Sequence, residues 1–191
     1  VQQYAYTTGK NATDSAMIID AMDILYSEKV NGFCLVSSDS DFTRLATRLR
    51  EAGMQVIGIG ERKTPTPFIV ACDKFIYVEI IRNQSEKKEG TDQKNKAKES
   101  FDKITPRVVN LISTTISDLS DEEGWAFLGD VGSLLQKKQP NFDSRNYGFE
   151  KLTPVIKSIG NFDLERRENP KSRHKLIFVK NKEKQKVKRK K

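Results

Sequence analysis

The sequence predicts an α/β protein in which a parallel sheet flanked by helices precedes a small winged-helix domain. Short apolar segments alternate with helical segments in residues 1–82, which is typical of parallel strands joined by right-handed crossovers. Residues 83–100 contain one alanine and no other hydrophobic residue, so they lack the apolar surface that an ordered segment must bury. Three helical segments and two short strand segments follow, which is a winged-helix pattern.

The first two helices and the strand between them are predicted from their apolar spacing. In Asp14–Tyr26, apolar residues recur at intervals of three and four, which indicates a helix. Phe33–Val36 is a continuous apolar run, which predicts a strand buried on both faces. The next helix spans Phe42–Ala52, because its apolar residues share one side, and Gly53 fits its C-terminal cap.

Two more strands complete the predicted sheet, at Met54–Ile59 and Phe75–Ile80. Between them, Thr66 opens a short helix, because the proline after it is favoured at the first helical position. The two cysteines, Cys34 and Cys72, lie in separate apolar segments, and the sequence has no cluster of Cys and His. We therefore expect two buried reduced thiols, no zinc site and a cytoplasmic location.

The C-terminal domain is predicted to consist of three helices and a hairpin. The helices cover residues 104–119, Trp125–Gln136 and a third segment that Asp143 caps and that ends near Ile159, and the strands cover Asn161–Glu165 and Lys175–Lys180. We interpret Trp125 as a core anchor rather than a stacking platform, because large aromatic rings contribute most when buried.

The positive charge is concentrated at one end of the chain. The whole sequence has 34 Lys+Arg and 26 Asp+Glu, a net charge of +8, and residues 180–191 alone carry eight basic residues and one acidic residue. The rest of the chain is near neutral, which argues against a basic surface spread over it. The tail either attracts phosphate backbones without sequence preference or is a solvated terminus. No apolar run approaches the length of about 18 residues that a membrane span needs, and no secretory leader is evident.

Carboxylates follow the first predicted strand directly. Asp39 and Asp41 come after its last residue, and Asp14 begins the helix before it. In open parallel sheets, ligands bind in the crevice beyond the carboxyl ends of the strands. Converging carboxylates suit Mg²⁺ or Mn²⁺, which lower the pKa of a bound water and neutralise charge on a reacting phosphate. Asp39 or Asp41 alone is equally well explained as a helix N-cap.

Several motifs in this part of the chain resemble the NYN domain, a branch of the PIN-like nuclease superfamily. The matching segments are Gly9–Asp14, Val36–Phe42, Gly53–Ile57 and Ala71–Ile76. The resemblance covers residues 1–82 and implies a doubly wound sheet, a role in RNA cleavage or processing, and carboxylates that hold Mg²⁺ or Mn²⁺. The metal-binding and catalytic role then belongs to Asp14 and Asp39, with Asp41 either as a further ligand or as the group that orients the attacking water.

The sequence departs from the NYN pattern at its beginning. The family opens with a strand that carries an aspartate, and no such strand precedes Gln2 here. We therefore expect an incomplete metal site and a sheet that lacks one strand, so that this chain taken literally is inactive or needs a partner.

A second resemblance lies in the C-terminal part. Trp125–Leu135 and Pro140–Phe149, which contains an Asp-x-Arg-x-Tyr-Gly-Phe stretch, resemble the OST-HTH/LOTUS domain over residues 103–180. That resemblance implies a winged helix linked to RNA binding and, in some members, to protein partners. The expected organisation is an NYN domain at 1–82, a polar linker at 83–102, the winged-helix domain at 103–180 and a basic tail at 181–191.

Basic and aromatic side chains in both domains are candidate RNA contacts. They are Lys10, Arg44, Arg48, Arg145, Tyr147, Lys151, Arg167, Lys171 and Arg173. The basic residues would meet phosphates, and Tyr147 would stack on an unpaired base or pack at the start of a helix. Arg44 and Arg48 are one helical turn apart, so they either steer a phosphate or form a solvated helix face.

Together these features predict a metal-dependent ribonuclease that hydrolyses RNA phosphodiester bonds and captures RNA with its winged helix. Two alternatives stay open. The first is a non-catalytic RNA-binding or adaptor protein, which the absent first carboxylate and the near-neutral charge favour. The second is a DNA-binding regulator that uses the winged helix and the tail.

Overall fold

The structure is a computed structural model that describes residues 12–82, 101–168 and 175–182. The chain divides into two compact units, one N-terminal and one C-terminal. Residues 83–100 of the predicted linker, the basic tail beyond residue 182 and the first eleven residues lie outside the described ranges. No helix within those ranges is both long enough and apolar enough to cross a membrane.

The N-terminal unit alternates helices and strands, as the sequence predicts. Its elements are α1 (Ala12–Tyr26), β1 (Gly32–Val36), a 3₁₀ turn (Ser40–Phe42) that runs into α2 (Thr43–Glu51), β2 (Gln55–Gly60), α3 (Thr66–Ala71) and β3 (Lys74–Tyr77). The strands form a parallel sheet in the order β1-β2-β3, which confirms the predicted parallel pairing. Their carboxyl ends therefore share one edge.

The register of the sheet brings its apolar residues into one core. Phe33 lies opposite Val56 in the pairing of β1 with β2, and Val56 is fully buried. Phe68 of α3 meets Phe75 of β3 edge to face, with ring centroids 6.0 Å apart and an interplanar angle of 82°. Leu49 of α2 is also fully buried, so α2 and α3 both pack on the sheet through their apolar sides.

Three details of the N-terminal prediction are wrong. β1 is buried on one face only: Leu35 is buried, whereas Val36 is 66% exposed. Cys34, on the same face as Val36, is exposed rather than buried. The third strand ends at Tyr77, and residues 78–82 are helical.

The C-terminal unit contains three helices and a small antiparallel sheet. Its elements are α4 (Pro106–Leu119), β4 (Trp125–Phe127), α5 (Leu128–Lys138), a 3₁₀ turn (Ser144–Tyr147), α6 (Leu152–Ile159), β5 (Phe162–Glu168) and β6 (Lys175–Asn181). The strand order is β4-β6-β5. The predicted hairpin is confirmed as the pairing of β5 with β6. Ile112, Val131, Ile156 and Val179 form the fully buried centre of this unit.

Two predicted helix starts in this unit are wrong. The segment from Trp125 begins as a strand, and α5 begins only at Leu128. Ala126 points into the core and is 1% exposed, so the short apolar run alternates with period two before the helix begins. Asp143 caps the 3₁₀ turn rather than a long helix, and Gly148 ends that turn in the left-handed region with φ 82°.

Two glycines provide a matched test of packing. A Cβ on Gly58 would lie 2.5 Å from Cδ2 of Phe75 and 2.8 Å from Sγ of Cys72, whereas a Cβ on Gly132 meets only Leu152, at 3.6 Å. We expect Gly58→Ala to destabilise the N-terminal unit by about 1–3 kcal/mol through overpacking. Gly132→Ala should stabilise the C-terminal unit by about 0.5–1 kcal/mol, because alanine favours the interior of α5. Urea unfolding of both variants checks the opposite signs, and a neutral Gly58→Ala would contradict the packing of β2 on β3.

The two thiols should differ in reactivity. Burial raises the pKa of Cys72 from 9.0 to about 11, and its thiol donates to the Phe68 carbonyl at 3.4 Å. Cys34 is exposed. Near pH 8, a disulfide reagent should therefore label Cys34 rapidly and Cys72 only on unfolding. Because the folded state holds the Cys72 proton more tightly, its contribution to stability is present below pH 9 and is lost as the pH rises towards about 11. Rapid labelling in Cys34→Ser would contradict this assignment.

Candidate functional site

The segment after β1 is hydrogen-bonded to the end of β2. The Ser37 amide donates to the Ile59 carbonyl at 2.9 Å, and the Glu61 amide donates to the Ser38 hydroxyl at 2.8 Å. Gly60 makes this junction possible, because a Cβ there would overlap the Ser37 carbonyl and lie 2.7 Å from the Thr64 hydroxyl. The predicted meeting of the segments after both strands is therefore present at the carboxyl edge of the sheet.

Asp39 and Asp41 lie next to each other on this edge and are both exposed. The Asp41 amide donates to Oδ1 of Asp39 at 3.0 Å, and the Asp39 amide donates to the Ser37 hydroxyl at 3.1 Å. Asp39 is thus the N-cap of the 3₁₀ turn that leads into α2. Capping uses one of its carboxylate oxygens and leaves the second without a hydrogen bond to the described residues.

The third predicted carboxylate, Asp14, lies half-buried in the first turn of α1. The described ranges contain no group of three His, Cys, Asp or Glu side chains arranged to hold a metal ion. Carboxylate oxygens are of the kind that Mg²⁺ and Mn²⁺ prefer, and Mg²⁺ is commonly held by one or two carboxylates together with substrate phosphates. Asp39 and Asp41 fit that mode by their chemistry, and the three-aspartate site stays a prediction.

A groove of about 270 Å³ runs between α1 and α2 beside this edge. Its apolar wall includes Ile18 and Leu45, and its polar rim includes Asp41, Arg44 and Arg48. The structure thus brings one predicted carboxylate and both predicted basic residues of α2 to one groove. The Arg48 guanidinium is only loosely paired with Glu51 at 3.9 Å, and Arg44 makes no ion pair with a residue of the described ranges.

One acidic residue at this edge was not selected from the sequence. Glu61 follows β2 directly and pairs with Lys63 at 2.7 Å. The hydrogen bond from Lys63 lowers the pKa of Glu61, and the positive charge of Lys63 adds to that effect. The sequence contains the pattern that would have identified Glu61, because Glu61 follows the end of β2 as Asp39 follows the end of β1.

In the C-terminal unit, Arg145 is engaged with its own loop. Its Nε donates to Oδ1 of Asp143 at 2.9 Å, and its Nη2 donates to Oδ2 of Asp143 at 2.6 Å. This hydrogen bonding raises the pKa of Arg145. The Tyr147 ring packs against the buried cluster, with its centroid 5.9 Å from that of Phe142. The packing interpretation of Tyr147 therefore describes its position, while RNA contacts by Arg145 and Tyr147 stay predictions.

The other predicted RNA-binding residues lie in different structural environments. Lys151 is exposed just before α6. Arg167 on β5 lies over the Phe178 ring at 4.6 Å and the Trp125 ring at 5.3 Å. Trp125 is absent from the buried cluster, so its interpretation as a core anchor is wrong. Its neighbour in the strand, Ala126, fills the core instead. The predicted contacts Lys10, Lys171 and Arg173 lie outside the described residues.

These observations define a chain in which a parallel α/β unit with carboxylates at its edge precedes a helical unit with a small antiparallel sheet. Residues 1–80 match the NYN domain, and residues 99–174 match the OST-HTH/LOTUS domain. The chain therefore carries an NYN domain, which is PIN-like and has a nuclease-like fold, followed by an OST-HTH/LOTUS domain. Both resemblances predicted from the sequence are confirmed.

One solved structure is similar to part of the chain. It is the solution NMR structure of an uncharacterized protein from Nitrosomonas europaea, which is 33% identical, with 49% of this chain and 89% of that chain covered and a TM-score of 0.40. A comparison with curated proteins gave no match.

The Asp143–Arg145 pair should stabilise the C-terminal unit. Asp143→Ala removes the cap and leaves a partly buried guanidinium without its carboxylate, so we expect a loss of about 2 kcal/mol. Asp143→Asn should cost less, because an amide oxygen still caps the turn. The control is Asp163→Ala, whose exposed carboxylate is 3.8 Å from Lys182 and should contribute almost nothing. Urea unfolding followed by Trp125 fluorescence measures this unit, and equal effects of Asp143→Ala and Asp163→Ala would contradict the assignment.

Proposed function

We propose that this chain is a metal-dependent ribonuclease that hydrolyses RNA phosphodiester bonds, with its OST-HTH/LOTUS domain holding the RNA. The observation that carries the proposal is the placement of Asp39 and Asp41 at the carboxyl edge of an NYN-type sheet, beside a groove lined by Arg44 and Arg48. Ligands bind at this edge in open parallel sheets. Exposed carboxylates beside two guanidinium groups can meet both a divalent cation and an RNA phosphate.

The proposed roles follow from the positions of the side chains. Asp39, with Asp14 and Asp41, would hold Mg²⁺ or Mn²⁺, and Asp41 would alternatively orient the attacking water. A divalent cation held there supplies Lewis acidity towards the scissile phosphate. Arg44 and Arg48 project from one exposed side of α2, so they would bind the phosphates of the strand that enters the groove.

The C-terminal unit would supply affinity for RNA. Lys151 before α6 and Arg167 on β5 are its described candidates, and Lys171 and Arg173 belong to the segment that joins β5 to β6. We propose that this unit acts as a winged helix, with the hairpin as its wing. The basic tail would add attraction that does not depend on sequence, and a cytoplasmic location is part of the same proposal.

A second candidate function is a non-catalytic RNA-binding or adaptor protein. It is favoured by one observation: three carboxylates are not grouped for a metal ion anywhere in the described part of the chain. Because one or two carboxylates hold Mg²⁺ only weakly without a substrate phosphate, the two functions differ in what happens when metal and RNA are added together.

The substitution Asp39→Asn separates catalysis from folding. Asparagine is as good an N-cap as aspartate, so the 3₁₀ turn should persist, whereas the loss of the charge should weaken metal binding. We expect cleavage of single-stranded RNA with Mg²⁺ or Mn²⁺ to fall by about 100-fold or more, with the unfolding midpoint nearly unchanged. Gel assays of the whole chain on labelled RNA measure the rate.

The matched control is Asp23→Asn, which removes an exposed carboxylate from α1 outside the groove and should leave the rate unchanged. Cleavage that persists both in EDTA and in Asp39→Asn would rule out the metal-dependent ribonuclease. RNA binding without cleavage, together with no heat of Mn²⁺ binding beyond that given by the RNA alone, would establish the adaptor function instead.

A further inference from the structure

The antiparallel sheet of the C-terminal unit has a second face that the buried cluster does not use. Val179 of β6 points into the core and is fully buried, so its neighbours Phe178 and Lys180 point the other way. Across the sheet, Lys180 lies opposite Trp125, and Phe178 lies opposite both Phe127 and Glu165. We call the face formed by Trp125, Phe127, Glu165, Arg167, Phe178 and Lys180 the outer sheet face.

Three aromatic rings lie half-buried on this face and none belongs to the core cluster. The Phe127 and Phe178 rings are 5.9 Å apart at an angle of 54°. The guanidinium of Arg167 lies 4.6 Å from the Phe178 centroid, and the ammonium of Lys180 lies 6.0 Å from the Trp125 centroid. The Phe178 and Trp125 rings are therefore in cation–π contact with side chains of the same sheet.

The charges on the outer sheet face do not suit a phosphate backbone by themselves. Arg167 donates to Glu165 at 3.1 Å. This bond, together with the negative charges of Asp121 and Glu123, raises the pKa of Arg167. Positive and negative side chains are thus nearly balanced. Aromatic rings beside carboxylate acceptors and a guanidinium instead match unpaired bases, which stack on rings and offer amino groups to carboxylates.

We infer that the outer sheet face binds unpaired bases of single-stranded RNA, which stack on Trp125 and Phe178 while Arg167 moves from the ring to a base edge or phosphate. The inference rests on the proposed RNA binding of this chain and does not require that it hydrolyse RNA. In this mode the aromatic rings stack on bases and Glu165 accepts from a base amino group. RNA binding through basic side chains alone would give these residues no role.

The single tryptophan of the chain, Trp125, makes this inference directly measurable. The whole chain is titrated in EDTA with a single-stranded RNA of about eight nucleotides, a length within the usual site sizes. Salt of about 200 mM weakens contacts that depend only on the charge of the backbone. Stacking on the indole should quench the Trp125 emission in a saturable way. The same sequence as a duplex should quench much less, because its bases are already paired.

Variants of the face should weaken the binding that this titration reports. Phe178→Leu keeps an apolar side chain on β6 but removes the ring, and we expect about tenfold weaker binding. Arg167→Gln should weaken it as well, and an unchanged urea-unfolding midpoint shows that the unit is still folded. The matched control is Phe101→Leu, since Phe101 is 41% exposed in the same unit and is not on the outer sheet face.

Two results would overturn the inference: Trp125 emission that does not change on binding of single-stranded RNA, as expected if the face binds a protein instead, or Phe178→Leu and Arg167→Gln that both bind as tightly as Phe101→Leu. These results do not test the proposed ribonuclease activity, which is measured separately by cleavage. Cleavage without a change in Trp125 emission would sink only this inference, whereas quenching without cleavage would sink only the hydrolysis.

Discussion

The parallel pairing of β1 with β2 is the constraint that positions Asp39 and Asp41 at the carboxyl edge of the sheet. Beyond the last residue of β1, Ser37 and Ser38 continue to bond to the end of β2, and Gly60 has no side chain that would force the two apart. This junction fixes the starting point of the 3₁₀ turn. Asp39 caps that turn and Asp41 lies within it, so the place of both carboxylates is set by backbone hydrogen bonds rather than by their own packing.

In the C-terminal unit, the positions of the candidate RNA-binding side chains are set by the alternation of side chains between the two faces of the strands. In β4 and β6, small or aliphatic residues such as Ala126 and Val179 fill the core, and most of the residues that alternate with them, such as Trp125, Phe178 and Lys180, are aromatic or charged. A strand that buries one face must present the other. The helices supply enough apolar surface to close the core without the rings of Trp125 and Phe178, which leaves those rings on the opposite side of the sheet.

Much of the fold could be predicted from the sequence because its signals are local. The helices α1, α2 and α4 follow apolar spacing, and the order of strands follows from the alternation of elements. Other features depend on neighbours distant in the chain. The exposure of Cys34 and Val36 depends on which elements pack on that face of β1, and the apolar content of the strand does not reveal this. Trp125–Phe127 is too short for periodicity to separate a strand from the start of a helix.

The candidate site shows the same division between local and non-local information. The sequence places Asp39 and Asp41 correctly at the end of a strand, because that position is a local property. Whether Asp14 can share a cation with them depends on the spacing of separate elements, which no local pattern encodes. The charge balance adds a further constraint. Because the body of the chain is near neutral, an RNA strand bound to it must be held by specific groups, such as Arg44 and Arg48 at the groove, rather than by a general electrostatic field. On the proposed function, the tail would then mainly speed the encounter with RNA, and the shaped surfaces would decide which RNA remains bound.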